Sequence, residues 1–144
     1  MSAEDRPHSV SVAGVIVDET GRALLIQRRD NGQWEPPGGV LEPGETIPEA
    51  LQREVLEETG IKIAASATLT GVYKNMSRLI VSLVFRCEAV DGAPTTGEET
   101  CALHWATRAE VSELADEAYA VRVLDALDEA SPPAVRAHDG VQLV

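Results

Sequence analysis

The stretch that decides the fold covers residues 38–61 and reads GGVLEPGETIPEALQREVLEETGI. Its second part predicts a helix over residues 46–59. Thr46 can cap the amino end, with Glu49 three residues later, which is the pattern of a capping box. Gly60 suits the left-handed conformation that often follows a helix end. Its first part is rich in glycine and proline and predicts a shaped loop, so the stretch as a whole indicates a loop leading into a well-capped helix.

The predicted helix carries acids on the side that should face the protein core. On a helical wheel, Glu54 and Glu58 fall in the sector of the apolar stripe, and Glu57 lies on its flank. The stripe consists of Ile47, Ala50, Leu51 and Val55. Acids at i,i+4 repel each other, and the carboxyl-terminal half of a helix disfavours negative charge. A bound divalent cation would remove this conflict, since carboxylates suit hard ions such as Mg²⁺ or Mn²⁺.

A simpler interpretation is that these acids form a solvated face, with Arg53 paired to Glu49 at i,i+4. The inward sector of the acids and the glycine-rich segment before the helix favour the metal site. Gly38 and Gly39 let the backbone come close to another group, and a carbonyl near them could complete a metal shell. Their simpler role is a tight turn after Pro36 and Pro37.

The segments outside this stretch predict strands on both sides of the helix. Residues 9–17 and 23–27 are rich in Val, Leu and Ile, and the turn signal between them suggests a hairpin. The remaining predicted elements are strands at 67–73, 79–89 and 101–106 and a helix at 110–129. This order predicts an α/β fold, a three-layer α/β/α sandwich with a mixed sheet between two main helices. We expect one domain over residues 1–144, with flexible tails at 1–7 and 131–144 and a short strand at 141–144 as an option.

Composition restricts the classes of function. The 144 residues fit one compact domain. The formal charge of −12 repels a nucleic-acid backbone and an anionic membrane surface. An anionic substrate would therefore need cations to mediate its binding. Cys87 and Cys101 form no CxxC pair and indicate two small buried thiols of a reducing compartment. Residues 1–7 are polar, and no apolar run approaches the ~20 residues that span a bilayer, so we expect a cytoplasmic protein.

The stretch resembles the signature of the Nudix hydrolases, G-x5-E-x7-R-E-U-x-E-E-x-G-U, where U is an aliphatic residue. Every specified position is filled, by Gly39, Glu45, Arg53, Glu54, Val55, Glu57, Glu58, Gly60 and Ile61. A looser resemblance extends to the strand at 24–28, to Trp34 before the prolines and glycines, and to the strand around Trp105. The fold that this resemblance implies is the Nudix-type α/β/α sandwich.

The resemblance also implies a function and a set of site residues. Nudix hydrolases cleave a nucleoside diphosphate linked to another moiety, and they use Mg²⁺, with Mn²⁺ as a possible substitute. Glu54, Glu57 and Glu58 match the metal ligands of the family. Glu45 and Arg53 match residues that brace the loop against the helix and complete the catalytic set. Proton transfer from the attacking water is assigned to Glu57, to Glu54 or to a glutamate of a distant loop.

Further ligands implied by the resemblance lie outside the helix. The carbonyl of Gly39 or Gly38 resembles an added metal ligand. The glutamate of the distant loop, which often binds metal or positions the water, corresponds to Glu98 or Glu99. The signature does not reach that loop, so both residues stay candidates.

Candidate substrate contacts come from the residues around the signature. Arg28 and Arg29 end a predicted strand near the site and could hold a phosphate. Trp34 could stack on a base or pack beneath the loop. Tyr73 ends another strand, and Gly38 lets the backbone approach the substrate.

Three substrate classes compete, namely a (deoxy)nucleoside triphosphate, ADP-ribose or a nucleotide sugar, and a dinucleoside polyphosphate. The short chain favours the first, giving a pyrophosphohydrolase. A catalytically silent nucleotide-binding module is the alternative from another class. Nucleic-acid and membrane partners are not expected. A homodimer is possible because many members of the family dimerise.

Overall fold

A computed structural model describes residues 5–129 and 131–144 of the chain, so part of the predicted tail at 1–7 lies outside the described residues. The strands are β1 (Ser9–Ile16), β2 (Ala23–Arg28), β3 (Trp34–Glu35), β4 (Gly38–Val40), β5 (Lys62–Ile63), β6 (Thr68–Asn75), β7 (Ile80–Cys87), β8 (Ala89–Asp91), β9 (Thr100–Ala106) and β10 (Ala134–His138). The helices are α1 (Ile47–Thr59), α2 (Arg108–Leu114) and α3 (Glu117–Leu127). None of these helices is long and apolar enough to cross a membrane.

The strands form a mixed sheet and two smaller ones. The largest sheet has the order β10-β6-β7-β1-β4. In it β1 runs parallel to β7 and β10 parallel to β6, whereas β6 and β4 run antiparallel to their partners β7 and β1. A second sheet has the order β3-β2-β9 with antiparallel pairs, and β5 pairs with β8. The predicted mixed sheet is therefore confirmed.

Helices cover both faces of the sheets. Alternate residues of β1 point to opposite sides, as in any strand. Val12 and Ile16 join a buried cluster with Leu51 and Val55 of α1. Ala13 and Val15 join a second buried cluster, to which α2 and α3 contribute Val111, Ala120, Val123 and Ala126. The α/β/α layering predicted from the order of elements is confirmed.

Helix α1 begins and ends where its local sequence predicts. The side chain of Thr46 accepts a hydrogen bond from the Glu49 amide at 3.3 Å, and the Glu49 carboxylate accepts one from the Thr46 amide at 3.4 Å. Gly60 adopts φ +74°, in the left-handed region. Because these caps depend only on residues close in sequence, they fix both ends of the helix that carries the acids.

The predicted hairpin between the first two strands is wrong. β1 lies between β7 and β4, β2 lies between β3 and β9, and a single bridge from Val17 to Ala23 joins the two segments. The turn signal fixes where the chain reverses but not which strand becomes the partner. β1 is buried over its last five residues, and a strand covered by helices on both faces takes its partners from distant segments.

The predicted helix over 110–129 is also wrong, because it consists of two helices. Ala115, with φ −104° and ψ 147°, ends α2, and Asp116 precedes α3 in an extended conformation. The apolar periodicity hides this break because Val111, Ala115 and Ala118 are buried on both sides of it. Three helices therefore cover the sheets instead of two.

The carboxyl-terminal segment is part of the main sheet, so the expectation of a flexible tail at 131–144 is wrong for residues 134–138. They form β10, which pairs in parallel with β6. His138 at its end is fully buried. The optional strand at 141–144 is a turn with one bridge, between His138 and Leu143. Of the two thiols, Cys87 is buried as expected, whereas Cys101 is exposed, which corrects the prediction for it.

Candidate active site

The acids of α1 lie as the helical wheel predicts. Glu58 is 9% exposed, and the side chain of Glu54 is 13% exposed. Glu57, on the flank, keeps 59% of its side-chain surface. Two carboxylates therefore point into the protein and a third lies beside them at the surface.

Arg53 draws the neighbouring carboxylates together. Its Nε and Nη2 atoms donate to the two carboxylate oxygens of Glu45, at 2.6 and 2.8 Å. Its Nη1 donates to Glu54 at 2.8 Å and lies 3.5 Å from Glu57. The Arg53 guanidinium lowers the pKa of Glu45. The alternative pairing of Arg53 with Glu49 is wrong, since Glu49 takes part in the helix cap.

Gly38 and Gly39 belong to β4 and lie against these acids. The Gly38 amide donates to the Glu58 carboxylate at 3.2 Å. A Cβ atom on Gly39 would overlap the carboxylate of Glu54, and one on Gly38 would overlap the backbone oxygen of Val12. The two glycines are thus strand residues, Gly39 making room for the Glu54 carboxylate and Gly38 for the backbone of β1, and the simpler role as a tight turn is wrong.

Glu58 lines a cavity of about 340 Å³, which we call the acidic cavity. Its lining consists of Ile26, Arg28, Arg29, Asp30, Glu35, Glu58, Glu98 and Glu99. Burial raises the pKa of Glu58 to about 8, and the negative charges of Glu54, Glu35 and Glu99 add to the shift. Burial also raises the pKa of Glu54 and of Glu35. Negative charge therefore gathers at this cavity beyond what its two arginines balance.

The chemistry of the donor set fits a divalent cation, although the side chains are not arranged around one. Within residues 5–129 and 131–144, no three His, Cys, Asp or Glu side chains converge closely enough to hold an ion. Arg53 accounts for this, because it holds Glu54 and Glu57 by their carboxylates. Carboxylate oxygens are nevertheless the kind of ligand that Mg²⁺ prefers. An ion would bind there if those carboxylates turned from the arginine towards Glu58.

The loop glutamates both reach the acidic cavity. Glu98 and Glu99 line it from the segment before β9. Glu99, and not Glu98, is among the charges that raise the pKa of both Glu54 and Glu58. Of the two candidates for the further glutamate, Glu99 therefore interacts more strongly with the acids of α1.

The two arginines at the end of β2 have different surroundings. Arg28 forms ion pairs with Asp30 at 2.7 Å and with Glu35 at 3.3 Å. Arg29 donates to the backbone oxygens of Glu98 and Thr100, at 3.0 and 3.1 Å. Arg29 thus holds the loop that carries the glutamates, whereas Arg28 lies between acids on the cavity wall.

Of the two aromatic candidates, Trp34 is half-buried and Tyr73 is fully buried. Trp34 packs against the core cluster and meets His104 edge-on at 6.3 Å, which corresponds to packing beneath the loop rather than to stacking on a base. Tyr73 is 0% exposed, and its hydroxyl donates to Asp125 at 2.7 Å. The prediction that Tyr73 contacts substrate is wrong, because a strand end that looks accessible in sequence is covered here by α3 and β10.

Replacing Tyr73 by Phe tests this correction. We expect the free energy of unfolding to fall by about 1–3 kcal/mol, the range for a hydrogen bond to a charged group. Asp125 keeps two hydrogen bonds from Arg136, both at 2.8 Å, so it is not left unpaired. Values of kcat and KM should change less than about twofold. Denaturant unfolding and steady-state kinetics measure both, and a large rise in KM would restore Tyr73 to the site.

Sequence reasoning missed two charged residues, Glu35 and Arg122. Glu35 in β3 lines the acidic cavity with 17% of its side chain exposed. Arg122 in α3 is 7% exposed. A signal for Arg122 was present, since Ala118, Arg122 and Ala126 follow each other at i,i+4 along the buried side of α3. A cation in an apolar stripe is as unusual as the acids of α1.

The comparisons with known proteins settle the family. A family model described as the NUDIX domain matches residues 7–127. The chain belongs to this family. Members of the Nudix family generally use divalent metals. The predicted enzyme class, a Nudix hydrolase, is confirmed.

Three relatives illustrate the range of names in the family. A MutT-like protein of Streptomyces ambofaciens is 57% identical over 137 residues, which cover 95% of this chain and 88% of the relative. A putative 8-oxo-dGTP diphosphatase of Bacillus subtilis is 38% identical over 63% of this chain and 61% of its own. An ADP-ribose pyrophosphatase of Methanocaldococcus jannaschii is 37% identical over 63% of this chain and 57% of its own. The last two are named for different substrates, although they are almost equally identical to this chain.

A solved structure confirms the Nudix fold. The MutT Nudix hydrolase from Burkholderia pseudomallei superimposes with a TM-score of 0.74 at 28% identity. The match covers 84% of this chain and 98% of that one. The resemblance drawn from 23 residues of sequence therefore extends to the whole sandwich.

Proposed function

We propose that this Nudix hydrolase cleaves nucleoside triphosphates to the monophosphate and pyrophosphate, with Mg²⁺ held by glutamates of α1. The observation that carries the proposal is the pair of inward carboxylates, Glu54 and Glu58, the second of which lines a cavity together with further acids. Such a group is unfavourable in the protein alone, because like charges are brought together away from water. It becomes favourable when cations and a polyphosphate occupy the cavity.

In this proposal the acids of α1 divide the work between them. Glu54, Glu57 and Glu58 hold the metal, and the backbone of Gly39 lies beside Glu54, where its carbonyl is a further candidate ligand. Mn²⁺ could replace Mg²⁺, since both are hard ions that prefer oxygen. Bound divalent ions would neutralise phosphate oxygens and lower the pKa of an attacking water. Glu99 lies across the cavity and supports a loop contribution to the metal or to the water.

The remaining site residues position these groups. Arg53 and Glu45, joined by two hydrogen bonds, hold the loop before α1 against the carboxyl-terminal half of the helix. Proton transfer from the water is assigned to Glu57 or Glu54, with Glu99 as the loop alternative. Arg28 stands on the wall of the acidic cavity, where an entering phosphate would compete with Asp30 and Glu35 for its guanidinium. Arg29 supports the glutamate loop through backbone oxygens.

The substrate class rests on charge and on the relatives. The protein carries a formal charge of −12, so a polyphosphate must enter with its metal ions. The relatives named for 8-oxo-dGTP and for ADP-ribose support a nucleotide substrate and do not choose between these two. A nucleoside triphosphate is the smallest nucleotide that offers both a phosphoanhydride bond and a pyrophosphate leaving group.

Hydrolysis should depend fully on divalent metal. We expect release of monophosphate and pyrophosphate from one or more members of a triphosphate panel with Mg²⁺, loss of activity with EDTA, and recovery when excess Mg²⁺ or Mn²⁺ is added. The panel should include ADP-ribose, nucleotide sugars and dinucleoside polyphosphates. Faster turnover of one of these would replace the triphosphate. Binding of nucleotides without any turnover would show a silent module instead.

A further inference from the structure

Arg122 lies in a second cavity that the proposed chemistry does not use. This cavity, of about 180 Å³, is lined among others by Arg28, Arg78, Arg122, Asn75 and Tyr119, and we call it the arginine cavity. Glu35 and Arg28 line both cavities, and Gly38 and Gly39 line this one from below the acids of α1. A substrate held at the acidic cavity would therefore extend directly into the arginine cavity.

The guanidinium of Arg122 lacks the partners that a buried cation requires. It is 7% exposed, and its Nε atom has no hydrogen-bond acceptor. Within residues 5–129 and 131–144 it forms no ion pair with a carboxylate. Its neighbours are aromatic faces, with the ring centroids of Tyr119 and Tyr73 at 4.7 and 5.4 Å. Such faces offset only part of the cost of removing a charge from water.

Among the described residues, Arg122 has a hydrogen-bonding contact with His138, which offers one acceptor at most, and it interacts electrostatically with Glu35 without forming an ion pair. Nη2 of Arg122 lies 3.0 Å from Nε2 of His138, and the Gly140 amide donates to Nδ1 of the same ring at 3.0 Å. Burial and the Arg122 charge lower the pKa of His138, which keeps the ring neutral. A neutral imidazole has one acceptor nitrogen and one N–H. If Nδ1 accepts from Gly140, Nε2 carries the proton and faces another donor.

The charge of the lining points to the kind of group that is missing. Three of the twelve cationic side chains of a chain with net charge −12 line this small cavity, against one glutamate. Arg28 is already paired with Asp30 and Glu35. Arg78 is exposed and forms no ion pair within the described part of the chain. The guanidinium N–H groups of Arg122 and Arg78 are thus suited to an oxygen acceptor with negative or partial negative charge.

We propose that Arg122 is a specificity-determining residue that binds an acceptor oxygen of the substrate in the arginine cavity. The oxygen is either the keto oxygen of a base or a phosphoryl oxygen, since a guanidinium accepts both. The proposal rests on the proposed function, because it takes the occupant to be part of a nucleotide. A residue that merely held α3 to β10 through His138 would not need to line a cavity beside two further arginines.

The test measures the binding of three compounds. IMP and AMP contain no phosphoanhydride bond, and pyrophosphate lacks a base. Dissociation constants of IMP, AMP and pyrophosphate are determined by calorimetry in Mg²⁺ for the wild type and for Arg122→Met. IMP and AMP differ in the keto and amino groups of the base and share the phosphate. Arg108→Met is the matched control, because Arg108 is exposed at the start of α2 and lines neither cavity.

We expect Arg122→Met to weaken binding of IMP, alone or together with the other compounds, by about tenfold or more, the loss typical of a charge-assisted hydrogen bond. Arg108→Met should have no such effect. Weakening of IMP alone assigns the acceptor to the base, and equal weakening of all three assigns it to a phosphoryl oxygen. The melting temperature of Arg122→Met should stay level or rise, since an unpaired buried charge is removed.

Unchanged affinities in Arg122→Met, or no binding of any of the three compounds to the wild type, would overturn the proposal. If Arg122→Met does not fold, Arg122→Lys replaces it, and its ammonium group, which lacks the planar fork of the guanidinium, should still weaken binding. These outcomes are independent of turnover. Absence of triphosphate hydrolysis would refute the proposed function while Arg122-dependent binding of IMP could remain.

Discussion

Replacing Glu58 by Gln is expected to lower kcat by roughly hundredfold or more, the usual cost of removing a group that stabilises developing charge through a metal or a donor. The metal-free protein should be as stable as the wild type or more stable. Glu58 is a buried carboxylate close to the charges of Glu54, Glu35 and Glu99. Gln keeps the shape and the acceptor oxygen for the Gly38 amide and removes the repulsion.

The two readouts separate a metal site from a structural role. Thermal unfolding in EDTA measures the metal-free stability, and kcat is measured with saturating Mg²⁺. Glu113→Gln is the control, since Glu113 is an exposed acid on α2 and the change in formal charge is the same. An unfolded Glu58→Gln protein would show that the carboxylate stabilises the fold, and full activity would show that it holds no essential ion.

The sequence predicted what depends on near neighbours. The partners in the amino-terminal cap of α1, Thr46 and Glu49, lie three residues apart, and the inward sector of Glu54 and Glu58 follows from the helical repeat alone. The family resemblance also implies a glutamate in a distant loop outside the signature, and both loop glutamates line the acidic cavity. Prediction was therefore most successful on the segment where chemistry and local structure coincide.

Longer-range choices could not be predicted in this way. The turn after β1 is local, but the partner of β1 is β7, more than sixty residues away. The break at Ala115 is hidden because the residues on both sides of it are buried. The prediction of a flexible tail is wrong at β10 because a five-residue strand at a sheet edge has no periodic pattern of its own. The burial of Tyr73 could not be predicted either, because the elements that cover it, α3 and β10, are distant in sequence.

The missed arginine shows how the same reasoning could have gone further. A charged side chain in an apolar stripe was used to find the acids of α1, and Arg122 meets the same criterion in α3. The prediction of one long helix over 110–129 hides Arg122, because the apolar residues of the combined segment occupy a wide sector of the helical wheel and define no narrow buried stripe. Once α3 is separated from α2, Arg122 stands between Ala118 and Ala126 on the buried side.

The adjacent glycines of β4 should respond in opposite ways to replacement by Ala. For Gly39→Ala we expect kcat to fall roughly hundredfold, since a small misplacement of a catalytic group has an effect of that size. The added Cβ takes the place of the Glu54 carboxylate. Stability should change little, because that carboxylate is the far end of a flexible side chain and can move aside.

For Gly38→Ala the free energy of unfolding should instead fall by about 1–3 kcal/mol, the range for overpacking a well-filled core. Its Cβ would meet the backbone of Val12 and Ala13, and β1 cannot shift because both residues are buried between the helices. Neither glycine has a positive φ, so backbone strain does not contribute. Urea unfolding and steady-state kinetics on both variants compare the free energy of unfolding and kcat of each with those of the wild type. Equal losses of stability in the two variants would contradict the difference in what the two Cβ atoms meet. Full activity in Gly39→Ala would mean that Glu54 need not stay beside Gly39 for the reaction to proceed.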